Sequence, residues 1–431
     1  MHKSNEKIFL VLDIGTSDIK CGGVDSNENL VFQQKHPFPA EQNGDNFEVD
    51  FCRFFEIVQN MLAECLLKPE IQGRKPAAIL ITSQAQTFVP VDKDFIPLRK
   101  GIVWLDERAD KEAEFLHERL PDFNKSAGFS RPFPSLYVSK LLWLKKNEPL
   151  IFKEAKAFPL INEFLSYKLT GKFYSDITTF GMSGMYDFPY NSINETVLKT
   201  LELTAKNFPL IKDAGRYEEV ILKNICKKLG LDDSVPVVLC GNDQGASACG
   251  AGLQEKGDMN INFGTAMVFY TVSDRLISNL TDYQIAGKHP QGDKYFLLNF
   301  ESDSGMQIQR LKEKYFPNES YDRLFETHVN YPHAAMRKPP GESSEYPVFT
   351  SKTDAAEFCS GIINYYLDRL KVHYAQIKKS VKLNNITVSG GFTQSQIWMK
   401  ILEKVLDMPF EINNRQDAGL LGAVKIYKKI L

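Results

Sequence analysis

Residues 8–20 read I-F-L-V-L-D-I-G-T-S-D-I-K. Five apolar residues, Ile8 to Leu12, suffice for one buried strand. Asp13 stands at the end of that strand, and Gly15-Thr16-Ser17 follows as a tight polar turn. A second apolar run, Ile19 to Val24, comes next, and residues 25–29 turn the chain again. The pattern predicts a hairpin whose tip presents a carboxylate, a glycine, two hydroxyls and the ammonium of Lys20. Glycine lets a backbone approach an anion closely, and consecutive N–H groups at such a turn form an anion-binding nest. Asp13 suits a hydrated magnesium ion, which needs only one or two carboxylates. An ordinary polar hairpin turn is the alternative.

A second stretch, residues 259–272, reads M-N-I-N-F-G-T-A-M-V-F-Y-T-V. Its Asn262-Phe263-Gly264-Thr265-Ala266 aligns with Asp13-Ile14-Gly15-Thr16-Ser17. Two strand–Gly-Thr–strand units suggest a duplicated domain with a phosphate loop in each half. Loops facing each other across a cleft would grip a nucleotide's phosphates from both sides.

The 431 residues are 43% hydrophobic and 25% charged, the composition of a globular chain of two or more domains. A formal charge of −2 gives no electrostatic case for nucleic acid or anionic membrane. No apolar run reaches membrane-spanning length, and the first residues lack the core of a signal peptide. The seven cysteines form no C-x-x-C pair, which fits reduced thiols of a cytoplasmic protein.

Outside the two hairpins, four stretches carry chemistry. Ala77 to Ile81 reads as a short strand, with Thr82-Ser83-Gln84-Ala85-Gln86-Thr87 at its carboxyl end, where open α/β sheets bind ligands. Trp104-Leu105-Asp106-Glu107-Arg108 offers an aromatic wall beside hydrogen-bonding groups, as a sugar requires; an Asp–Arg structural pair is the alternative. Gly241-Asn242-Asp243-Gln244-Gly245 sets an acid where a strand becomes a helix, a place that favours its ionised form. Such an acid can deprotonate an attacking hydroxyl or cap the helix. Finally, Asn385 to Val388 runs through Ser389-Gly390-Gly391 into a helix at 396–406, a nucleotide-type turn.

Helices are expected at 51–67, 110–120, 136–146, 159–169, 193–201, 217–229, 246–252, 355–379 and 417–428. Short strands are expected at 88–91 and 295–300, and residues 172–191 read as a loop region. The linker Gly230 to Ser234 divides the chain into residues 1–232 and 233–431.

In this order the motifs resemble those of the FGGY carbohydrate kinases of the actin-like ATPase superfamily. The anchors are D-I-G-T-S-D-I-K at 13, S-Q-A-Q-T-F-V at 83, W-L-D-E-R at 104, G-N-D-Q-G-A at 241, F-G-T at 263, S-G-G-F-T-Q-S at 389 and the terminal D-A-G-L-L-G-A. The resemblance implies an α/β fold of two ribonuclease-H-like domains with an interdomain cleft. It assigns sugar binding and the first phosphate loop to residues 1–232, nucleotide binding and the catalytic base to 233–431. It implies magnesium at Asp13, phosphate contacts from Thr16, Ser17, Lys20, Gly264 and Thr265, and adenosine contacts from Gly390, Gly391 and Ser395. It makes Asp243 the general base.

Gln86, Trp104, Asp106 and Gln244 complete the expected substrate pocket, which suits a neutral ketose or polyol. ATP with Mg2+ is the expected phosphoryl donor, and a homodimer is among the assemblies the reading allows. The Arg-Glu pair of glycerol kinases and the Met-His-Gly of xylulose kinases are both absent at Ala85-Gln86. The chain is short for the family, most easily between the second hairpin and the long helix. The competing reading is an actin-like ATPase module or sensor without sugar chemistry.

Overall fold

The computed structural model describes residues 7–44, 46–71, 74–231, 235–329, 335–340, 346–349, 351–413, 415 and 417–429. The linker expected at 230–234 lies partly outside them, at 232–234.

The first sheet contains β1 (Ile8–Ile14), β2 (Asp18–Asp25), β3 (Leu30–Pro37), β4 (Pro76–Ser83), β5 (Glu218–Val220) and β6 (Pro236–Asn242), ordered β5-β6-β4-β1-β2-β3. The second contains β7 (Asp258–Phe263), β8 (Met267–Ser273), β9 (Gln284–Lys288), β10 (Tyr295–Glu301), β11 (Asn385–Gly390) and β12 (Phe410–Ile412), ordered β9-β10-β8-β7-β11-β12. Each sheet has the same five-stranded heart. Three antiparallel strands lead, and two parallel strands are added beside the first of them. The duplication expected from the two Gly-Thr hairpins is therefore a duplication of whole sheets, and the two ribonuclease-H-like domains are present.

β1 is buried along its entire length, as a central strand covered on both faces must be. Its side chains alternate between two layers. Leu10, Leu12 and Ile14 pack with Phe54, Val58 and Leu62 of α1 (Phe51–Leu66). Phe9 and Val11 face the opposite way, onto Leu420, Ala423 and Val424. α1 starts at Asp50, whose carboxylate accepts from the N–H groups of Cys52 and Arg53.

Seven more helices matter for the site. They are α2 (Tyr137–Asn147), α3 (Ile161–Thr170), α4 (Ile177–Phe180), α5 (Asp243–Ala251), α6 (Ser304–Tyr315), α7 (Tyr321–His328) and α8 (Lys352–Ser380). Two others close the chain, α9 (Gln396–Val405) and α10 (Ala418–Lys428). α5 and α10 touch backbone to backbone. A Cβ on Gly250 would lie 1.9 Å from the Ala418 carbonyl oxygen, and one on Gly422 would lie 1.8 Å from that of Ala246. Small residues are obligatory at this crossing.

Several expectations are corrected. A division at 232/233 would assign β6 to the second half, yet β6 pairs with β4 in the first sheet, and α10 covers that sheet too. Residues 217–229 are not one helix: Glu218–Val220 pairs antiparallel with Pro236–Val238, and only Lys223–Leu229 is helical. Residues 88–91 make isolated bridges rather than a strand. The loop region at 172–191 contains a strand at Tyr174–Asp176 and α4, because Asp176 caps that helix through the N–H groups of Thr178 and Thr179. The helix expected from 246 begins at Asp243.

Replacing Gly250 with alanine forces a methyl into the α5–α10 contact. Overpacking of this kind costs ~1–3 kcal/mol where neighbours can yield, and more against backbone. The expected outcome is a fall of several degrees in Tm together with reduced turnover, read by thermal unfolding and by assay of the same sample.

Candidate active site

The two hairpin tips face a cleft between the sheets. One cavity of about 660 Å3 is lined by Asp13, Lys20 and Gln244 on one side and by Gly390, Gly391 and Gln394 on the other. A second, of about 430 Å3, adjoins it at Gly391 and Gln394 and is lined by Gly264, Thr265, Gly305, Gln309, Asp322 and Ser395. A larger cavity of about 770 Å3 lies elsewhere, between Leu120 and Thr196, and holds none of these groups.

Asp13 ends β1 opposite Lys20 of β2. Its carboxylate is 9% exposed, and Oδ1 has no hydrogen-bond partner among the described residues. A Cβ on Gly419 would sit 2.6 Å from Asp13 Oδ2, so only glycine lets α10 come this close. Lys20 pairs at 3.3 Å with Asp417, a residue in the left-handed region at φ 58°. Burial raises the Asp13 carboxyl to about 6; Lys20 opposes this and Asp417 adds to it. A buried carboxylate with an idle oxygen fits a hydrated Mg2+ ion, which would be held at Asp13.

Asp243 is the first residue of α5, capped by Asn242, whose Oδ1 accepts from the Gly245 N–H at 2.8 Å. It is half-buried. Desolvation and the negative charge of Asp13 push its carboxyl up to about 7, against the N–H of Gln244 at 2.8 Å, which favours the ionised form. Two carboxyls raised mainly by burial share one cleft, Asp243 further raised by the charge of Asp13 and Asp13 by that of Asp417.

The Thr82–Thr87 segment leaves β4 beside this pair. The Gln84 N–H donates to the Ile14 carbonyl at 2.7 Å. Gln84 is 2% exposed, yet neither polar atom of its amide has a partner among the described residues. Gln86 is 7% exposed, stands at φ 67° and keeps Oε1 unpartnered. A non-glycine residue in this region costs of order ~1 kcal/mol and usually marks a site. Its carbonyl accepts from Lys140 of α2 at 3.2 Å, and the same ammonium donates to the Val103 carbonyl at 2.9 Å. Lys140 is wholly buried, and desolvation lowers it to about 7 although Asp106 pulls the other way. Trp104 joins the Thr82–Thr87 segment to the first hairpin. Its N–H donates to Thr87 Oγ1 at 3.0 Å and its ring Nε1 to Thr16 Oγ1 at 3.1 Å.

Asp106 does not join this set. It is wholly buried, and both oxygens are taken, by Phe47 N–H, by Arg108 N–H and by the Arg108 guanidinium at 2.7 Å. The expected substrate acid is a structural partner of Arg108, as its alternative reading held. Ser395 lines the cavity, but its hydroxyl caps α9 through the Trp398 N–H and donates to Asp322 at 2.5 Å. Ser17 is exposed at the hairpin tip and lines neither cavity.

Sequence reasoning missed the opening of α6. The N–H groups of Gly305 and Met306 both donate to the Thr265 carbonyl, which plants the start of α6 against the second hairpin. A Cβ on Gly305 would lie 1.8 Å from the Gly264 carbonyl oxygen. The run Glu301-Ser302-Asp303-Ser304-Gly305, a cap-rich strand end with a glycine, was the available signal. Asp322 was missed as well, with no local pattern to mark it, and Asp417, which opens the terminal D-A-G-L-L-G-A, was given no site role.

Two ribonuclease-H-like domains closing on a cleft with paired acids and opposed phosphate loops define a phosphotransferase of the actin-like ATPase fold. Residues 8–250 match the N-terminal domain of the FGGY family of carbohydrate kinases, and the chain belongs to that family. It is 24% identical over 448 aligned positions to a xylulose kinase of Staphylococcus epidermidis, covering 97% of this chain and 87% of that one. Among solved structures it resembles a gluconate kinase of Lactobacillus acidophilus, with TM-score 0.87, 21% identity, and 99% and 89% of the two chains covered. A xylulose kinase of the same organism also gives TM-score 0.87 at 21% identity, covering 98% and 89%. The chain is thus a carbohydrate kinase, carrying out ATP-dependent sugar phosphorylation. Among the described residues no helix is long and apolar enough to cross a membrane.

The raised acid pair predicts a stability signature. Asp13 has a folded-state value near 6, above its ordinary value of 3.8, so its ionisation costs the folded state free energy. That cost begins above about pH 4 and is full above about pH 6. Asp13→Asn removes it. The variant should be inactive yet melt a few degrees higher than the parent at pH 8, with the gap closing toward pH 4, as read by thermal melts without nucleotide or metal.

Proposed function

We propose that the enzyme phosphorylates a neutral ketose, such as a pentulose or deoxyketose, or a polyol, with Asp243 as general base. The observation that carries this reading is Asp243 itself, a carboxyl raised to about 7 beside Asp13 at the mouth of the cleft. A base poised near the working pH is best able to take a proton from a sugar hydroxyl as that oxygen attacks. The nucleotide's phosphates lie between the hairpin of Thr16, Ser17 and Lys20 and that of Gly264 and Thr265, with the N-terminus of α6 behind the latter. Adenosine rests on Gly390 and Gly391. Mg2+, when bound at Asp13, neutralises charge on the transferred phosphoryl group. Lys20 exchanges its pairing with Asp417 for phosphate oxygens.

The sugar meets the idle amides of Gln84 and Gln86, the ring of Trp104, and Gln244. Preference for a neutral sugar rests on where the cations are. Arg108 is bound by Asp106 and Glu48, Arg131 by Glu114 and Asp282, and Lys140 by two main-chain carbonyls. None of these three cations is free to grip a sugar carboxylate. The similar structures carry both kinds of name, xylulose and gluconate kinase, so fold alone does not choose. All seven cysteines are unpaired, which supports a reducing, cytoplasmic setting. The sensor alternative is disfavoured, because a module without sugar chemistry has no use for Asp243 or the Gln84–Gln86 amides.

Asp243→Asn should lower turnover by about a hundredfold or more with the fold intact. In the parent, kcat/KM for the sugar should rise with pH through the Asp243 value, about 7, because the base acts only when deprotonated; retained turnover in the variant reassigns the base. Gln86→Ala should raise the sugar KM roughly three- to tenfold at nearly constant kcat, the loss of one neutral hydrogen bond. A coupled assay over ketopentoses, ketohexoses, deoxyketoses, alditols and gluconate tests the substrate class, and a strong preference for gluconate overturns the neutral pocket.

A further inference from the structure

The strand carrying the base is irregular just where it matters. β6 runs in step with β4 at Val237–Ile79, Val238–Leu80 and Leu239–Ile81, and next meets it at Asn242–Ser83. One extra residue has entered β6, a bulge, and bulges beside active sites re-aim side chains. Gly241 takes φ 94° within it. The sheet does not satisfy the Asn242 N–H; that group donates instead to Thr178 Oγ1, at 3.1 Å. A Cβ on Gly241 would approach the same hydroxyl to 2.8 Å, so the turn lies directly on it.

Thr178 is held in turn. Its hydroxyl donates to Asp176 Oδ1 at 2.6 Å, and the carboxylate also accepts from the N–H groups of Thr178 and Thr179 and from Thr179 Oγ1 at 2.8 Å. Both Asp176 and Thr178 are 1% exposed. With its proton committed to Asp176, the Thr178 oxygen has only its lone pairs to offer, and they meet Asn242, the residue before Asp243. The segment around residue 178, which sequence reasoning left as a loop, thus reaches the catalytic turn.

We propose that Thr178, oriented by the buried carboxylate of Asp176, is a positioning residue that fixes the bulge and so the direction of the Asp243 carboxylate. The inference rests on Asp243 being the base. Thr178→Val keeps the shape and removes the oxygen. It should lower kcat about ten- to a hundredfold, since small misplacements of a reacting group carry losses of that size. KM for ATP and for the sugar should stay within about threefold. Thr178→Ser, which restores the oxygen, should recover kcat to within about threefold. Thr179→Val removes another hydroxyl from the same carboxylate without touching the turn; it should lower the melting temperature and spare kcat. If Thr178→Val does not fold, Thr178→Cys, a weaker acceptor in the same place, should give an intermediate kcat. The acidic limb of the pH profile should shift in the valine or cysteine variant and not in Thr179→Val. Parental kcat in Thr178→Val, equal losses in Thr178→Val and Thr179→Val, or failure of serine to rescue overturns the proposal. If Asp243→Asn keeps its turnover, the base assignment falls first and the inference with it.

Discussion

The structure depends on two helices that touch without side chains between them. α5 and α10 meet through Gly250 and Gly422, at distances no Cβ would allow. α5 carries Asp243 at its first residue; α10 brings Gly419 against Asp13 and follows directly on Asp417, the partner of Lys20. Close helix approach therefore assembles the charged centre of the cleft. A wider crossing would draw Gly419 and Asp417 away from Asp13 and Lys20.

That assembly works against stability. Asp13 and Asp243 are each desolvated, Asp243 lies in the field of Asp13 and Asp13 in that of Asp417, and no cation touches either within ion-pair distance among the described residues. Lys20, opposite Asp13, is drawn to Asp417 instead. Buried like charges are retained where their strain is used. On the proposed reading Mg2+ would supply the positive charge, and the nucleotide the phosphate contacts, that this electrostatic set leaves open. Lys140 follows a similar logic with the opposite sign. A fully buried ammonium with only carbonyl partners is costly, and it stands where the Thr82–Thr87 segment would otherwise lose its strained turn at Gln86.

The parts of the site legible in the sequence were those encoded locally. A Gly-Thr turn between apolar runs, a Gly-Asn-Asp-Gln break between strand and helix, and a Gly-Gly turn each require particular residues within a few positions. Of these, Asp13, Lys20, Gln244, Gly264, Thr265, Gly390 and Gly391 line the two cleft cavities. Asp106 was misread because an acid two residues from an arginine looks the same whether it faces a ligand or its neighbour; burial decides, and burial is not local. β6 was assigned to the wrong half because the turn signal at Gly230 is real, but strand partnership is set by topology. Gly305, Asp322 and Asp417 enter the site from distant elements; a local pattern marks Gly305 and Asp417, but their place in the cleft is set by topology. The polar run at 176–179 looked like loop because its hydrogen bonds are spent on an internal carboxylate rather than on a regular ladder.

The placement of α10 has a consequence for how the molecule comes into being. Phe9 and Val11 belong to the first strand made, and the helix that covers them spans residues 418–428. At ~5–20 residues per second, synthesis takes roughly twenty seconds to a minute and a half between the two. Throughout that interval the earliest-made sheet has one bare apolar face and cannot mature ahead of the later one. The nascent chain is therefore a natural client for holding chaperones until its last helix emerges, and the N-terminal half expressed by itself would carry the same exposed face permanently.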